Sequence, residues 1–256
     1  MKRKLLKAFI CILLSLVILA LLWFFFGNPI SYLRAVKTAQ TYLAETYPDT
    51  DLRMERFNFD FIYGDYVAYI TSPSSIDTHF YLHINKHGTK LRDTYDRDVL
   101  QKSNTTIRLH QEYNALADPV FSDLSLSCVR FRFLSKLEFD CYPGGDEPPS
   151  YVINSSKLVL DKAYDIRELG RQAGHLIVYV DSATVNAELA ASMMLTVKEC
   201  FDQASVPFAA MSFTLEYPVS AEGQRPDGAV RVRHFLYEDI YEDGMVERVA
   251  RAANKR

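Results

Sequence analysis

From Ala8 to Phe26 nineteen consecutive residues carry no charge, and among them Ser15 is the one hydroxyl-bearing residue. At about 1.5 Å per residue this run makes a helix of roughly 28 Å, close to the ~30 Å hydrocarbon thickness of a bilayer. Trp23 and Phe24-Phe25-Phe26 stand at its far end, where aromatic rings favour the membrane interface, and Gly27-Asn28-Pro29 ends it. Lys2, Arg3, Lys4 and Lys7 precede it, so the positive-inside rule puts the N-terminus in the cytoplasm and residues 30–256 outside. A cleaved signal peptide fits less well. Cleavage needs small residues at −3 and −1, and the candidates at the outer end are Phe25 and Gly27. The expectation is a single-pass anchor over residues 1–28.

Beyond it the hydrophobic period changes twice. Leu33, Val36, Ala39, Leu43 and Tyr47 recur at helical spacing, predicting a helix over 30–47 that Pro48-Asp49 stops. Phe57, Phe59 and Phe61 then alternate with Arg56, Asn58 and Asp60, the signature of a half-buried strand. Strands over 66–71, 78–85 and 90–95 follow, separated by Gly64-Asp65, a polar link Ser72–Asp77 and the turn Lys86-His87-Gly88. This is a helix laid on an antiparallel meander over 52–95. A polar helix over 97–117, broken by Asp118-Pro119, completes a first module over 29–120.

A second module is expected over 121–256. A hairpin over 127–142, turning at Leu134-Ser135, opens it, and the Pro/Gly-rich stretch 143–149 is its longest loop. A short helix over 164–173, a buried strand over 175–180, a strong helix over 184–204, strands over 209–219 and 229–240, and a short terminal helix follow. Helix followed by antiparallel strands thus occurs twice. The predicted class is α+β: an N-terminal transmembrane helix, then two helix-plus-antiparallel-sheet modules.

Composition sharpens this reading. Hydrophobic residues make up 48% and charged residues 24%, with 16 Tyr and 16 Phe, so the chain can fill substantial cores and is too apolar for disorder. The overall charge of −3 conceals an asymmetry: without the four basic residues before the anchor, 25 basic face 32 acidic residues. An acidic outer part lacks the basic footprint of nucleic-acid binding, which is excluded. Cys11 lies in the apolar run and behaves as a small apolar residue. On the predicted hairpin register Cys128 falls opposite Cys141, and a cross-strand disulfide and two buried thiols both stay open.

Candidate chemistry is sparse. His79, His83 and His87 recur every four residues, but on a strand that spacing is about 13 Å, too far for one ion's shell of ~2.1 Å bonds. Ser72, Ser74, Ser75, Asp77 and His79 form the densest group of hydroxyl, carboxylate and imidazole. They are ordinary turn chemistry first, a binding segment second, and catalytic groups last, since no GxSxG elbow accompanies them. The acidic pairs Glu238-Asp239 and Glu242-Asp243 lack EF-hand spacing and read as a solvated face. Asn104-Thr-Thr and Asn154-Ser-Ser match the glycosylation pattern, which matters only in a eukaryotic secretory pathway. No GxGxxG, GxxxxGK, HExxH or cysteine–histidine zinc spacing occurs, so no cofactor or metal is expected.

Gly27-Asn-Pro-Ile-Ser, the helix ending Tyr47-Pro-Asp-Thr50, and Ser72-Pro-Ser-Ser-Ile-Asp-Thr-His-Phe80 resemble the YfjL-like membrane-anchored proteins of Gram-positive bacteria. The likeness covers residues 1–95 well and the remainder loosely. It implies localisation and architecture, and supplies no activity and no catalytic residues. The helix–meander outline is also similar to small cystatin-like and PepSY-like folds, a likeness of fold alone. The resulting expectation is a non-enzymatic extracytoplasmic module that binds an envelope protein, peptide or wall component. The alternatives are a hydrolase-like enzyme using Ser72–His79, or a small-ligand sensor walled by Phe57–Phe61.

Overall fold

The computed structural model describes residues 2–126, 128–140, 149–220 and 222–254. The fold is α+β, with an apolar N-terminal helix and two four-stranded sheets among these residues. The chain divides into two compact units: Met1–Thr105 with Val159–Asp161, and Thr106–Leu158 with Lys162–Arg256.

In the first unit α1 (Lys2–Phe26) is long and apolar enough to cross a membrane, and its residues 9–25 are exposed. Gly27 takes φ +76°, and Asn28 then caps α2 (Pro29–Thr46), its side chain accepting the Ile30 N–H at 2.8 Å with Pro29 at the first helical position. Strands β1 (Arg53–Asp60), β2 (Asp65–Ser72), β3 (Ser75–Asn85) and β4 (Lys90–Asp93) pair antiparallel in sequence order, as the meander reading expects. Tyr66, Ala68 and Ile70 of β2 and Phe80, Leu82 and Ile84 of β3 form a fully buried face with Ala35 and Ala39 of α2. The expected polar link Ser72–Asp77 is shorter than predicted. Pro73-Ser74 alone makes the turn, and Ser75 already opens β3.

Two sequence expectations fail in the next segment. A single π-helical turn (Asp96–Leu100) precedes α3 (Ser103–Asp123), and α3 runs through Pro119 instead of ending there. Proline removes one helical hydrogen bond, but Phe121 beyond it stacks on Phe133 at 4.3 Å and packs edge-on to Phe201 at 4.9 Å, which offsets the loss. The buried face of α3 is Leu109, Tyr113, Ala117 and Phe121, all in the second unit's core, while Ile107 is exposed. Most of the helix expected to close the first module thus belongs to the second unit.

Among the described residues the hairpin turn expected at Leu134-Ser135 is not formed. Leu134 and Ser135 lie inside β5 (Arg130–Leu137), which pairs antiparallel with the distant β6 (Gly174–Asp181). The register that set Cys128 opposite Cys141 is therefore not formed, and Cys141 lies outside the described residues. After α4 (Ile166–Ala173) and β6 come α5 (Ala187–Gln203), β7 (Ala210–Glu216), β8 (Ala229–Leu236) and α6 (Met245–Ala253). The strand order is β5-β6-β7-β8, and β6 pairs parallel with β7. The second sheet is thus mixed, not antiparallel throughout, because α5 carries the chain back across the sheet between β6 and β7. One face, with Leu176, Val178, Val180, Phe213, Leu215 and Val232, is core, joined by Met194, Val197 and Phe201 of α5. By the strand period, the opposite face carries His175, Ile177, Tyr179 and Asp181 of β6 and Ser212, Thr214 and Glu216 of β7.

Candidate functional site

The Ser72–His79 segment singled out by sequence is held together as structure. Ser72 Oγ donates to Asp51 Oδ1 at 2.7 Å and lies 3.1 Å from Ser74 Oγ, while the Ser74 N–H donates to Asp51 Oδ2 at 3.1 Å. These bonds hold the Asp51 carboxyl below its ordinary value. Ser75 Oγ donates to Asp161 Oδ1 at 3.0 Å and lies 2.6 Å from Thr78 Oγ1. Asp77, 1% exposed, accepts the Asp161 N–H at 2.9 Å and the Thr105 hydroxyl at 3.0 Å, and its own N–H donates to Asp161 Oδ1 at 2.9 Å. Asn104 Nδ2 donates to the carbonyls of Asp77 (2.9 Å) and His79 (2.6 Å). His79 packs its ring 5.8 Å from Tyr69. No hydroxyl of this group bonds to the His79 imidazole among the hydrogen bonds of the described residues, so Ser, Asp and His are near in sequence without forming a relay.

A different group converges on the open face of the second sheet. Glu138, His175 and His234 bring one ligating atom each within 4.8 Å of one another. Glu138 follows β5, and its backbone is fixed on both sides: its N–H donates to the Ala173 carbonyl at 2.9 Å, and its carbonyl accepts the Ile153 N–H at 2.9 Å. His175, 2% exposed on β6, sets Nδ1 2.5 Å from Glu138 Oε1 and Nε2 2.8 Å from Ser212 Oγ. Lys136 Nζ reaches Glu138 Oε1 at 2.8 Å. Burial pushes the Glu138 carboxyl up, but the bonds from His175 and Lys136 outweigh it and hold the group down at about 2.

His234 arrives by an irregularity of β8. The β7–β8 register shifts between Met211 and Phe213, so Arg233 and His234 together oppose Ser212. Val232 and Phe235 both remain buried, three residues apart, and His234 takes φ +50°, in the left-handed region. Without the bulge His234 would follow the strand period toward the core. With it, the ring joins the open face, 4.9 Å from the ring of His175, and hydrogen-bonds through Nδ1 to the Tyr151 hydroxyl. The His234 N–H donates to Ser212 Oγ at 3.1 Å. Partial desolvation and the neighbouring His175 push the largely exposed His234 imidazole below its ordinary value, and burial pushes the Tyr151 hydroxyl up.

The other end of this face carries a second charged group. Arg225 Nη1 bridges Asp181 Oδ1 (3.0 Å) and Glu216 Oε1 (2.8 Å), with Arg231 3.5 Å from Glu216. Between the two groups lie Leu134, 51% exposed, and Tyr179, 40% exposed.

Two family models match the chain: the YfjL-like N-terminal domain over residues 2–96 and the YfjL-like C-terminal domain over residues 112–250. The chain belongs to the YfjL-like family. The YfjL-like C-terminal match contains Glu138, His175, Ser212 and His234, and the N-terminal match contains the Ser72–His79 segment. No curated protein and no solved structure matches the chain. Sequence reasoning missed Glu138, His175 and His234 because 37 residues separate the first pair and 59 the second, so no local spacing links them. One signal was available: apolar Val232 and Phe235 bracket two polar residues, which breaks a period-two strand and marks a bulge.

Proposed function

We propose that this chain is a membrane-anchored, extracytoplasmic binding protein and not an enzyme, and that the open face of the second sheet receives a segment of another envelope protein. The bulge at His234 carries this reading. A strained, non-glycine left-handed residue inside a strand persists only where its surroundings hold it, and such sites cluster where ligands are gripped. The same face runs from the His175–Glu138 group to the Asp181–Glu216–Arg225 group, six residues along β6, or about 20 Å. Exposed Leu134 and Tyr179 between two groups of fixed charge suit an extended polypeptide carrying an apolar side chain flanked by charges.

The test is a photo-cross-linking amino acid in place of Tyr179 in tagged full-length protein, in its native cells, with the same substitution at exposed Leu91 of the first unit as the comparison. Adducts to one or two envelope proteins at position 179 alone are expected. Adducts at 91 and none at 179 refute the assignment of the face, and adducts to glycan instead redirect it to a wall component. The topology is tested separately: external protease on protoplasts should digest residues 30–256, and their survival would reverse the orientation.

A hydrolytic reading is favoured by one observation, the alignment of Ser212 Oγ, His175 and Glu138 at 2.8 and 2.5 Å, in the order of nucleophile, base and acid. It predicts turnover of a simple ester that Ser212→Ala abolishes without loss of fold; an inert wild-type protein removes it.

A further inference from the structure

We propose that Glu138, His175 and His234 bind one divalent transition-metal ion of the zinc class on the open face of the second sheet. The inference deepens the binding reading by naming a ligand of the same face, and it rests on that reading's assignment of the face.

Two imidazoles and a carboxylate are the donor set of open zinc sites, which leave a further position for an external ligand. Here the three ligating atoms lie within 4.8 Å of one another. Bonds of 2.0–2.2 Å in a tetrahedral shell place ligand atoms roughly 3.3 Å apart, so the widest approach closes by about 1.5 Å, within reach of side-chain rotation. The His175–Glu138 contact of 2.5 Å opens by a little under 1 Å as the ion takes the place of the proton that bridges the pair.

The groups around the three are those such a site requires. Whichever nitrogen of His175 turns to the ion, the other keeps a partner, Ser212 or Glu138. Tyr151 holds Nδ1 of His234, and Lys136 steadies the Glu138 carboxylate. Outer partners of this kind fix ring orientation and raise ligand affinity. The bulge supplies the argument that stands apart from proximity. His234 reaches the cluster only through a left-handed backbone conformation, and residues held in such conformations cluster where ligands are gripped. The alternative histidine set is dispersed: His79 and His83 are separated by Tyr81 along β3, and His83 Nδ1 faces Asp65 at 3.3 Å.

The experiment uses full-length protein in detergent, purified on a tag without histidine, stripped with a chelator and titrated calorimetrically with Zn²⁺. One equivalent is expected to bind with micromolar or tighter affinity. His234→Ala should weaken binding at least tenfold, as should Glu138→Gln, while His87→Ala leaves it unchanged. His234 is exposed in the strand, so its variant should fold; unchanged circular dichroism in chelator checks this, and His234→Gly, which suits the left-handed backbone, gives a second variant. No saturable binding, or binding that His234→Ala and His234→Gly leave intact, overturns the inference. Position-179 adducts that persist in chelator, together with no metal binding, defeat this inference alone. Metal binding without any adduct defeats the protein-partner reading and leaves the metal site standing.

Discussion

Removing the carboxylate of Asp77 decides between the structural and chemical readings of the Ser72–His79 segment. In Asp77→Ala the Asp161 N–H (2.9 Å) and the Thr105 hydroxyl (3.0 Å) lose their shared acceptor. At 1% exposure the site is closed to bulk solvent. A buried donor left without a partner costs about 1–3 kcal/mol, and the threonine hydroxyl can rotate toward another acceptor, so the total is about 3 kcal/mol. That converts to roughly a 150-fold rise in the open population of the surrounding structure. Hydrogen exchange followed by mass spectrometry reads it locally. Peptides covering Ser75–Asn85 should exchange about two orders of magnitude faster, while peptides covering Gly174–Asp181, in the other compact unit, should change little. Asp77→Asn, which keeps one acceptor oxygen, should fall between. Acceleration under fivefold at β3, or equal acceleration in both units, would refute the reasoning. Retained protection combined with loss of an activity would return the segment to catalysis.

Three further outcomes follow from packing and charge. Gly174→Ala would place a Cβ 2.5 Å from the Tyr113 hydroxyl oxygen and 2.6 Å from the Gly170 carbonyl, so it should destabilise the second unit by about 1–3 kcal/mol in thermal unfolding; an unchanged melt would mean that Tyr113 moves aside freely. Phe121→Ala should cost about 3–5 kcal/mol and fray α3 beyond Pro119, and a helix content matching wild type would show that Phe121 does not hold that last turn. Burial pushes the Asp93 carboxyl up, but hydrogen bonds from Tyr42 and Lys90 outweigh it and hold the group below its ordinary value of 3.8. Its contribution is therefore present above about pH 4 and lost as pH falls through that value toward the lower folded one, and Asp93→Asn should flatten this part of the acid unfolding curve.

The first unit was legible because its strands and helix each obey one period. The alternation of Phe57 and Phe59 announces a half-buried strand, and Ala39, Leu43 and Tyr47 of the helical spacing pack on the sheet, although Leu33 of the same spacing is exposed and Ala35 takes the buried place beside Ala39. The strong helix α5 was legible for the same reason, through Met193, Val197 and Phe201. What failed depends on partners far along the chain. Leu134-Ser135 offered an arithmetic turn, yet the segment pairs with β6 some forty residues later, and no local rule ranks those two pairings. Pro119 reads as a stop, and only the aromatic cluster around Phe121 shows why the helix continues. Parallel pairing of β6 and β7 is a property of how α5 crosses the sheet and leaves no mark on residue order. The candidate site belongs to this second class. Its three residues come from a loop, a central strand and a bulge, and the one local trace is the broken period between Val232 and Phe235.

Between the end of α1 and the first residue of α2 stand only Gly27 and the cap residue Asn28. Two extended residues span at most about 7 Å. A Cβ on Gly27 would meet the Tyr66 hydroxyl oxygen at 2.5 Å, so even this short step is wedged against the sheet, and Phe61 at the β1–β2 turn lies 5.5 Å from the ring of Phe25. The first unit is therefore not on a leash. A domain on a long flexible linker reorients freely about the helix before it, whereas the β1–β4 sheet here turns as α1 turns. A tilt imposed on α1 is therefore a tilt of that sheet.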